Sequence, residues 1–113
     1  MFFQAPAYVQ APAYADVTPA EAIVMIREGK AILTDVRETD EYAESHIPGA
    51  VLLPLSVLPD KAAEVLPDPS VPVLVYCRSG RRSVEAAKLL ASLGYKEVYN
   101  LKGGFLAWPY ERT

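Results

Sequence analysis

The residues able to do chemistry are concentrated in one stretch. Val73-Leu74-Val75-Tyr76 is an apolar run rich in β-branched side chains, the composition of a buried strand. It leads to Cys77, the single cysteine of the chain, and then to Arg78-Ser79-Gly80-Arg81-Arg82-Ser83, where a helix pattern begins. A strand that hands a thiol to a tight turn at a helix start is suited to making a thiolate. A helix N-terminus carries roughly +0.5 of an elementary charge and unpaired backbone N–H groups. A loop curling into it turns several of those groups inward as an anion-binding nest. Gly80 admits the positive φ that such a turn needs, and Arg78, Arg81 and Arg82 add positive charge.

A free thiol titrates near about 8.5. Keeping it ionised well below that takes ~2.7 kcal/mol, and one cation ~4 Å away in an effective dielectric of about 20 supplies on the order of 4 kcal/mol. The loop therefore points to Cys77 as an ionised nucleophile at the mouth of a polar cup. A lone cysteine closing a buried strand is otherwise an inert core residue. An inert thiol, however, has no use for arginines crowded at the positive end of a helix dipole.

The elements that position this loop follow from the pattern on either side. Thr18-Pro19-Ala20-Glu21 is a capping box with proline at the first helical position, and the helix it opens runs to about Glu28 and stops at Gly29. Ile23 and Ile26 give that helix its core face. Ala31–Val36 reads as a buried strand, Thr39 as the cap of a short helix to about Glu44, and Val51-Leu52-Leu53 as a short strand. Ser56 to Leu66 reads as helix, with Pro59 in its first turn, and Asp68-Pro69-Ser70 as a turn. After the loop, a helix from about Arg82 to Ser92 faces the sheet with Val84, Ala87, Leu90 and Ala91 and ends at Gly94. Val98-Tyr99-Asn100 is a last strand, and Gly103-Gly104 turns into a short helix carrying Phe105 and Trp108. Alternating strands and helices predict an α/β domain, a central mostly parallel sheet of about five strands with helices on both faces. Ligands of such sheets bind beyond the carboxyl ends of the strands, which puts Asp35 and Cys77 on one functional edge.

Composition bounds the function. The 113 residues make one domain, with a net charge of −3 that argues against general nucleic-acid binding. One cysteine and one histidine exclude an internal disulfide, a Cys-rich metal site and a multi-His site, and no metal or organic cofactor is expected. No apolar run approaches the ~20 residues of a membrane span, and Met1-Phe2-Phe3 lacks the pattern of a signal peptide. A cytoplasmic location and a monomer or weak homodimer are expected. Residues 1–16 form an Ala/Pro/Tyr-rich tail, without charge over residues 1–15, with Gln4-Ala5-Pro6-Ala7-Tyr8 repeated at Gln10-Ala11-Pro12-Ala13-Tyr14. Its prolines forbid a continuous helix, and Phe2, Phe3, Tyr8 and Tyr14 are candidates to dock it. Residues 17–113 form the domain.

The loop Tyr76-Cys77-Arg78-Ser79-Gly80-Arg81-Arg82-Ser83 resembles the active-site loop of single-domain rhodaneses, which are sulfurtransferases. Three further stretches match that family in order. They are Asp35-Val36-Arg37-Glu38 with Glu41-Tyr42, then His46-Ile47-Pro48-Gly49-Ala50, and Leu101-Lys102-Gly103-Gly104-Phe105-Leu106-Ala107-Trp108. Together they cover about residues 17 to 110. The resemblance implies a rhodanese-like fold and a thiosulfate sulfurtransferase whose Cys77 carries a persulfide. The donor would be a small anionic sulfur compound, thiosulfate or a persulfide. The acceptor would be cyanide, a thiol or a protein.

Arg78, Ser79, Gly80, Arg81 and Arg82 are the expected substrate-binding residues, with Arg37 secondary because Asp35 and Arg37 also read as a structural ion pair at a strand end. His46 reads as part of a turn rather than a general base, Glu41 and Tyr42 as helix surface and core, and Trp108 as core packing. Two other classes compete. Cysteine phosphatases and arsenate reductases need an arginine six residues after the cysteine; here that residue is Ser83, and Arg82 falls one short. A non-catalytic sulfur-carrier or protein-binding module would not need the basic cysteine loop.

Overall fold

In the computed structural model, residues 13–113 are described, so the expected docking of Phe2, Phe3 and Tyr8 and most of the repeat lie outside the described residues. Five strands alternate with helices. They are β1 (Ala15–Val17), α1 (Pro19–Arg27), β2 (Ile32–Asp35), α2 (Thr39–Glu44), β3 (Val51–Leu52), α3 (Leu58–Val65), β4 (Val73–Tyr76), α4 (Arg81–Ser92) and β5 (Val98–Leu101). Short 3₁₀ turns cover Leu55–Val57 and Phe105–Ala107. The strands pair in the order β1-β5-β4-β2-β3, and every pair is parallel.

The period of two along β4 explains the layers. Val73, Val75 and Cys77 join Leu58, Ala62 and Leu66 of the α3 region and Ala86, Ala87 and Leu90 of α4 in one core. Leu74 and Tyr76 join Ala22 of α1, Ile47, Phe105 and Trp108 in the other. Both faces of the sheet are thus covered, as an all-parallel sheet requires. The thiol belongs to the α3/α4 face, directly beneath the start of α4.

Three local expectations are corrected. Ala15 and Asp16, placed in the tail, form β1 with Val17, held in parallel register against Tyr99, Asn100 and Leu101 and by Asn100 Nδ2 donating to Asp16 at 3.0 Å. Tyr14 packs against the α3/α4 core. The N-cap of α2 is Glu38 rather than Thr39, with Glu41 Oε1 accepting from the Glu38 N–H at 2.9 Å. The buried face of α4 is Ser83, Ala86, Ala87 and Leu90, while Val84 and Ala91 are only half-buried. That rotation follows from the loop, which aims the first turn at the cysteine. The Thr18 capping box is present as the sequence spells it, with Glu21 N–H donating to Thr18 Oγ1 at 3.2 Å and Thr18 N–H to Glu21 at 2.9 Å.

Candidate active site

β4 ends at Tyr76, and Gly80 takes φ 111° to start α4 without a side-chain cap. The N–H groups of the turn are left free to converge on the Cys77 sulfur. Gly80 N–H donates to Sγ at 3.1 Å. The thiol pKa is lowered from its ordinary value. Burial, the largest single influence, raises it, and this is overcome by the Ser83 hydroxyl and by the backbone N–H groups of Ser83, Gly80 and Ser79. Hydrogen-bond donors of the loop stabilise the thiolate, and the Cys77 charge in turn helps to raise the Arg82 pKa.

Ser83 is the residue that sequence reasoning passed over as a participant. Its hydroxyl is fully buried, has no hydrogen-bond partner among the described residues, and acts to lower the Cys77 pKa. A signal was available, since Ser83 stands in the sixth position after the cysteine, where the phosphatase pattern would have had its arginine.

The thiol is buried rather than set at the mouth of a cup: Cys77 is 1% exposed. Its loop is fixed from behind. Phe105 N–H donates to the Cys77 carbonyl at 2.8 Å and Leu106 N–H to the Arg78 carbonyl at 3.0 Å. This approach demands Gly104, where a Cβ would lie 2.6 Å from both carbonyl oxygens and the backbone has φ 61°.

The arginines divide into two kinds. Arg78 and Arg81 are exposed and make no ion pair among the described residues. Arg82 is committed to Glu41, its Nη1 and Nη2 donating to the two carboxylate oxygens at 2.7 and 3.0 Å. This corrects the reading of Glu41 as plain helix surface. The Arg82 guanidinium holds the Glu41 carboxyl down to about 2, with burial opposing and the Glu38 N–H assisting. Arg37, 4% exposed, is bidentate on the buried Asp35, its Nη2 at 2.7 Å from Oδ2 and also donating to the Ser45 carbonyl. It stacks over Phe105 at 4.4 Å from the ring centre. Ser79 is exposed and Gly80 half-buried. The ring of His46 lies flat on Tyr42, with Nδ1 2.8 Å from the Tyr42 carbonyl, and Trp108 is buried with Nε1 donating to the Glu111 carbonyl.

A strand-loop-helix that buries a hydrogen-bonded cysteine between exposed arginines is the arrangement expected of the rhodanese loop, and comparison with known proteins decides the family. The description "Rhodanese-like domain" matches residues 18–111. The chain belongs to the rhodanese-like family. It is 37% identical over 95 residues to "Thiosulfate sulfurtransferase GlpE" of Coxiella burnetii, covering 84% of this chain and 87% of that one. It is 38% identical over 69 residues to "Thiosulfate sulfurtransferase PspE" of Escherichia coli, covering 61% and 66%. Among solved structures, the rhodanese-like domain of the Anabaena Alr3790 protein superposes with a TM-score of 0.79 at 28% identity, over 87% of this chain and 77% of that one. A rhodanese-related protein of Thermoplasma volcanium superposes at 0.78 and 26%, over 88% and 98%. The rhodanese-like chain described here is accordingly an α/β enzyme of the rhodanese type.

Proposed function

We propose that this rhodanese transfers a sulfane sulfur from thiosulfate or a persulfide to a thiophilic acceptor through a persulfide on Cys77. The observation that carries the reading is the Cys77 sulfur, set among loop donors with Gly80 N–H at 3.1 Å and its pKa held down. In the first half-reaction the thiolate attacks the outer sulfur of thiosulfate. A new S–S bond forms to Cys77, the S–S bond of thiosulfate breaks, and sulfite leaves with the electron pair. In the second, cyanide or a thiolate attacks the terminal sulfur and the bonding pair returns to Cys77. The same N–H groups that hold the thiolate hold the anionic persulfide.

Ser79 and Gly80 supply backbone donors to this cradle. Arg78 and Arg81 are the cations free to attract a sulfonate-bearing donor, for which guanidinium geometry is suited. Arg82 and Arg37 shape the cup through their pairings with Glu41 and Asp35. The names of the GlpE and PspE relatives, and an Escherichia coli chain titled "rhodanese with anions" that superposes at a TM-score of 0.67, support a small anionic donor. Ser83, in place of an arginine six residues after the cysteine, weighs against phosphate-ester chemistry.

The test offers thiosulfate with cyanide to the wild-type protein and to Cys77→Ser, and an aryl phosphate in parallel. Thiocyanate should form only with Cys77 present, and the phosphate should remain intact. Thiocyanate formation by Cys77→Ser at the wild-type rate, or turnover of the phosphate alone, overturns the proposal.

A further inference from the structure

We infer that Arg112 is a positioning residue for the Cys77 loop: its guanidinium holds the Phe105–Ala107 turn, and that turn holds the Ser79 N–H in line with the Cys77 sulfur. The inference rests on Cys77 as the nucleophile proposed above and adds to the site a residue from outside its motifs.

The relay runs through five short contacts. Arg112 Nη2 donates to the Phe105 and Trp108 carbonyls at 2.7 Å each, and its guanidinium carbon lies 4.4 Å from the Phe105 ring centre. One guanidinium thus ties the first residue of the 3₁₀ turn to the residue that closes it. From that turn Phe105 N–H reaches the Cys77 carbonyl at 2.8 Å, and Leu106 N–H reaches the Arg78 carbonyl at 3.0 Å. The Arg78 carbonyl and the Ser79 N–H belong to one planar trans peptide and point in opposite directions. Drawing the carbonyl toward Leu106 therefore turns the N–H the other way. The Ser79 N–H is one of the backbone donors that lower the Cys77 pKa.

The contact has little slack. A Cβ at Gly104 would lie 2.6 Å from the Cys77 and Arg78 carbonyl oxygens, so backbone rests directly on backbone and a shift of the turn passes to the loop. The Phe105 ring is held by two cations, since the guanidinium carbon of Arg37 also lies 4.4 Å from its centre. Arg37 is buried and bound to Asp35. Arg112 is exposed and makes no ion pair among the described residues, so its fixed bonds go to carbonyls alone. Its neighbour Thr113 exchanges backbone hydrogen bonds with His46 at 2.9 and 3.0 Å, which anchors the brace from outside the loop. Ordering a long side chain costs rotamer entropy, and what this one fixes is the strut behind the thiol.

The experiment titrates the Cys77 thiolate by its ultraviolet absorbance, subtracting the Cys77→Ser protein so that the single cysteine alone is read. It uses the full chain as wild type, Arg112→Met and Arg112→Gln, at low salt and in ~1 M KCl, where the Debye length is about 3 Å. Arg112→Met keeps an apolar stem against Phe105 and removes both donated bonds; Arg112→Gln is a second variant should the first not fold. Each should titrate about half a pH unit above the wild type, the partial loss of one hydrogen bond to a charged group, at both salt concentrations. A lowered urea midpoint with an unmoved titration is the result of a merely structural arginine and overturns the inference. A shift present at low salt and absent in KCl marks a through-space charge effect and overturns it too. The readout needs neither sulfur donor nor acceptor, so absence of thiocyanate from thiosulfate and cyanide in the wild-type protein defeats the sulfur-transfer reading separately.

Discussion

Replacing Ser83 with alanine isolates what ionises Cys77. The Ser83 hydroxyl is fully buried and has no hydrogen-bond partner among the described residues, so its removal strands no partner and costs the fold little, and the ionised sulfur is the acceptor it is free to turn to. The consequence falls on the sulfur beside it. A hydrogen bond to a charged group is worth about 1.5 kcal/mol at the low end of its range, so its loss lowers the thiolate-to-thiol ratio roughly tenfold. The bond stabilises only the ionised form, and the variant thiol must therefore titrate at higher pH than the wild type. A more basic thiolate is also a better nucleophile, with a Brønsted slope of about 0.4–0.5, so the net fall in alkylation rate below the titration is roughly 3-fold. Above the titration the same slope makes the variant roughly 3-fold faster. Iodoacetamide alkylation measured across pH should give two profiles that cross. Arg82→Gln should displace the profile less than Ser83→Ala, because Glu41 already offsets the arginine charge. Superimposed profiles for Ser83→Ala, with a large displacement for Arg82→Gln, refute the hydrogen-bond account and restore the arginines as the cause.

Two predictions concern the frame of the loop. Gly104→Ala should lose about 2 kcal/mol of stability in urea unfolding, because its Cβ meets the Cys77 and Arg78 carbonyl oxygens at 2.6 Å in a left-handed backbone; an unchanged midpoint contradicts the clamp. Glu41→Gln should be about 1 kcal/mol less stable than the wild type at neutral pH, a value discounted for partial exposure of the Arg82 pair. The Glu41 carboxyl is held at about 2 in the fold against an ordinary 4.5, so its contribution is complete above 4.5 and is lost as pH falls toward 2. A stability gap that stays constant through that range excludes the ion pair as its source.

The segments legible in the sequence are those whose signals are local. The Thr18 capping box, the apolar run into Cys77, and Gly80 and Gly94 at the ends of α4 each carry their own punctuation, and they appear where the spacing puts them. β1 has no such signal. Three residues, Ala15-Asp16-Val17, become a strand only through pairing with β5, and Asn100 reaches Asp16 across 84 positions of chain. The same limit governs the site. The cysteine, its loop and its helix are contiguous and were readable together. The Arg82–Glu41 pair spans 41 positions, so an arginine that looks free in sequence is already committed in the fold. Arg112 lies beyond every recognisable motif and is held beside Phe105 by contacts distant in sequence: Thr113 pairs backbone-to-backbone with His46, and the Arg112 guanidinium grips the Phe105 and Trp108 carbonyls.

Mass spectrometry of the intact protein, before and after incubation with thiosulfate, tests the central claim most directly. A gain of about 32 Da, the mass of one sulfur atom, should map to the peptide containing Cys77 and disappear on adding cyanide, as the covalent half-reaction requires. An unmodified Cys77 in protein that is nonetheless turning over thiosulfate, or an added sulfur located elsewhere in the chain, contradicts it.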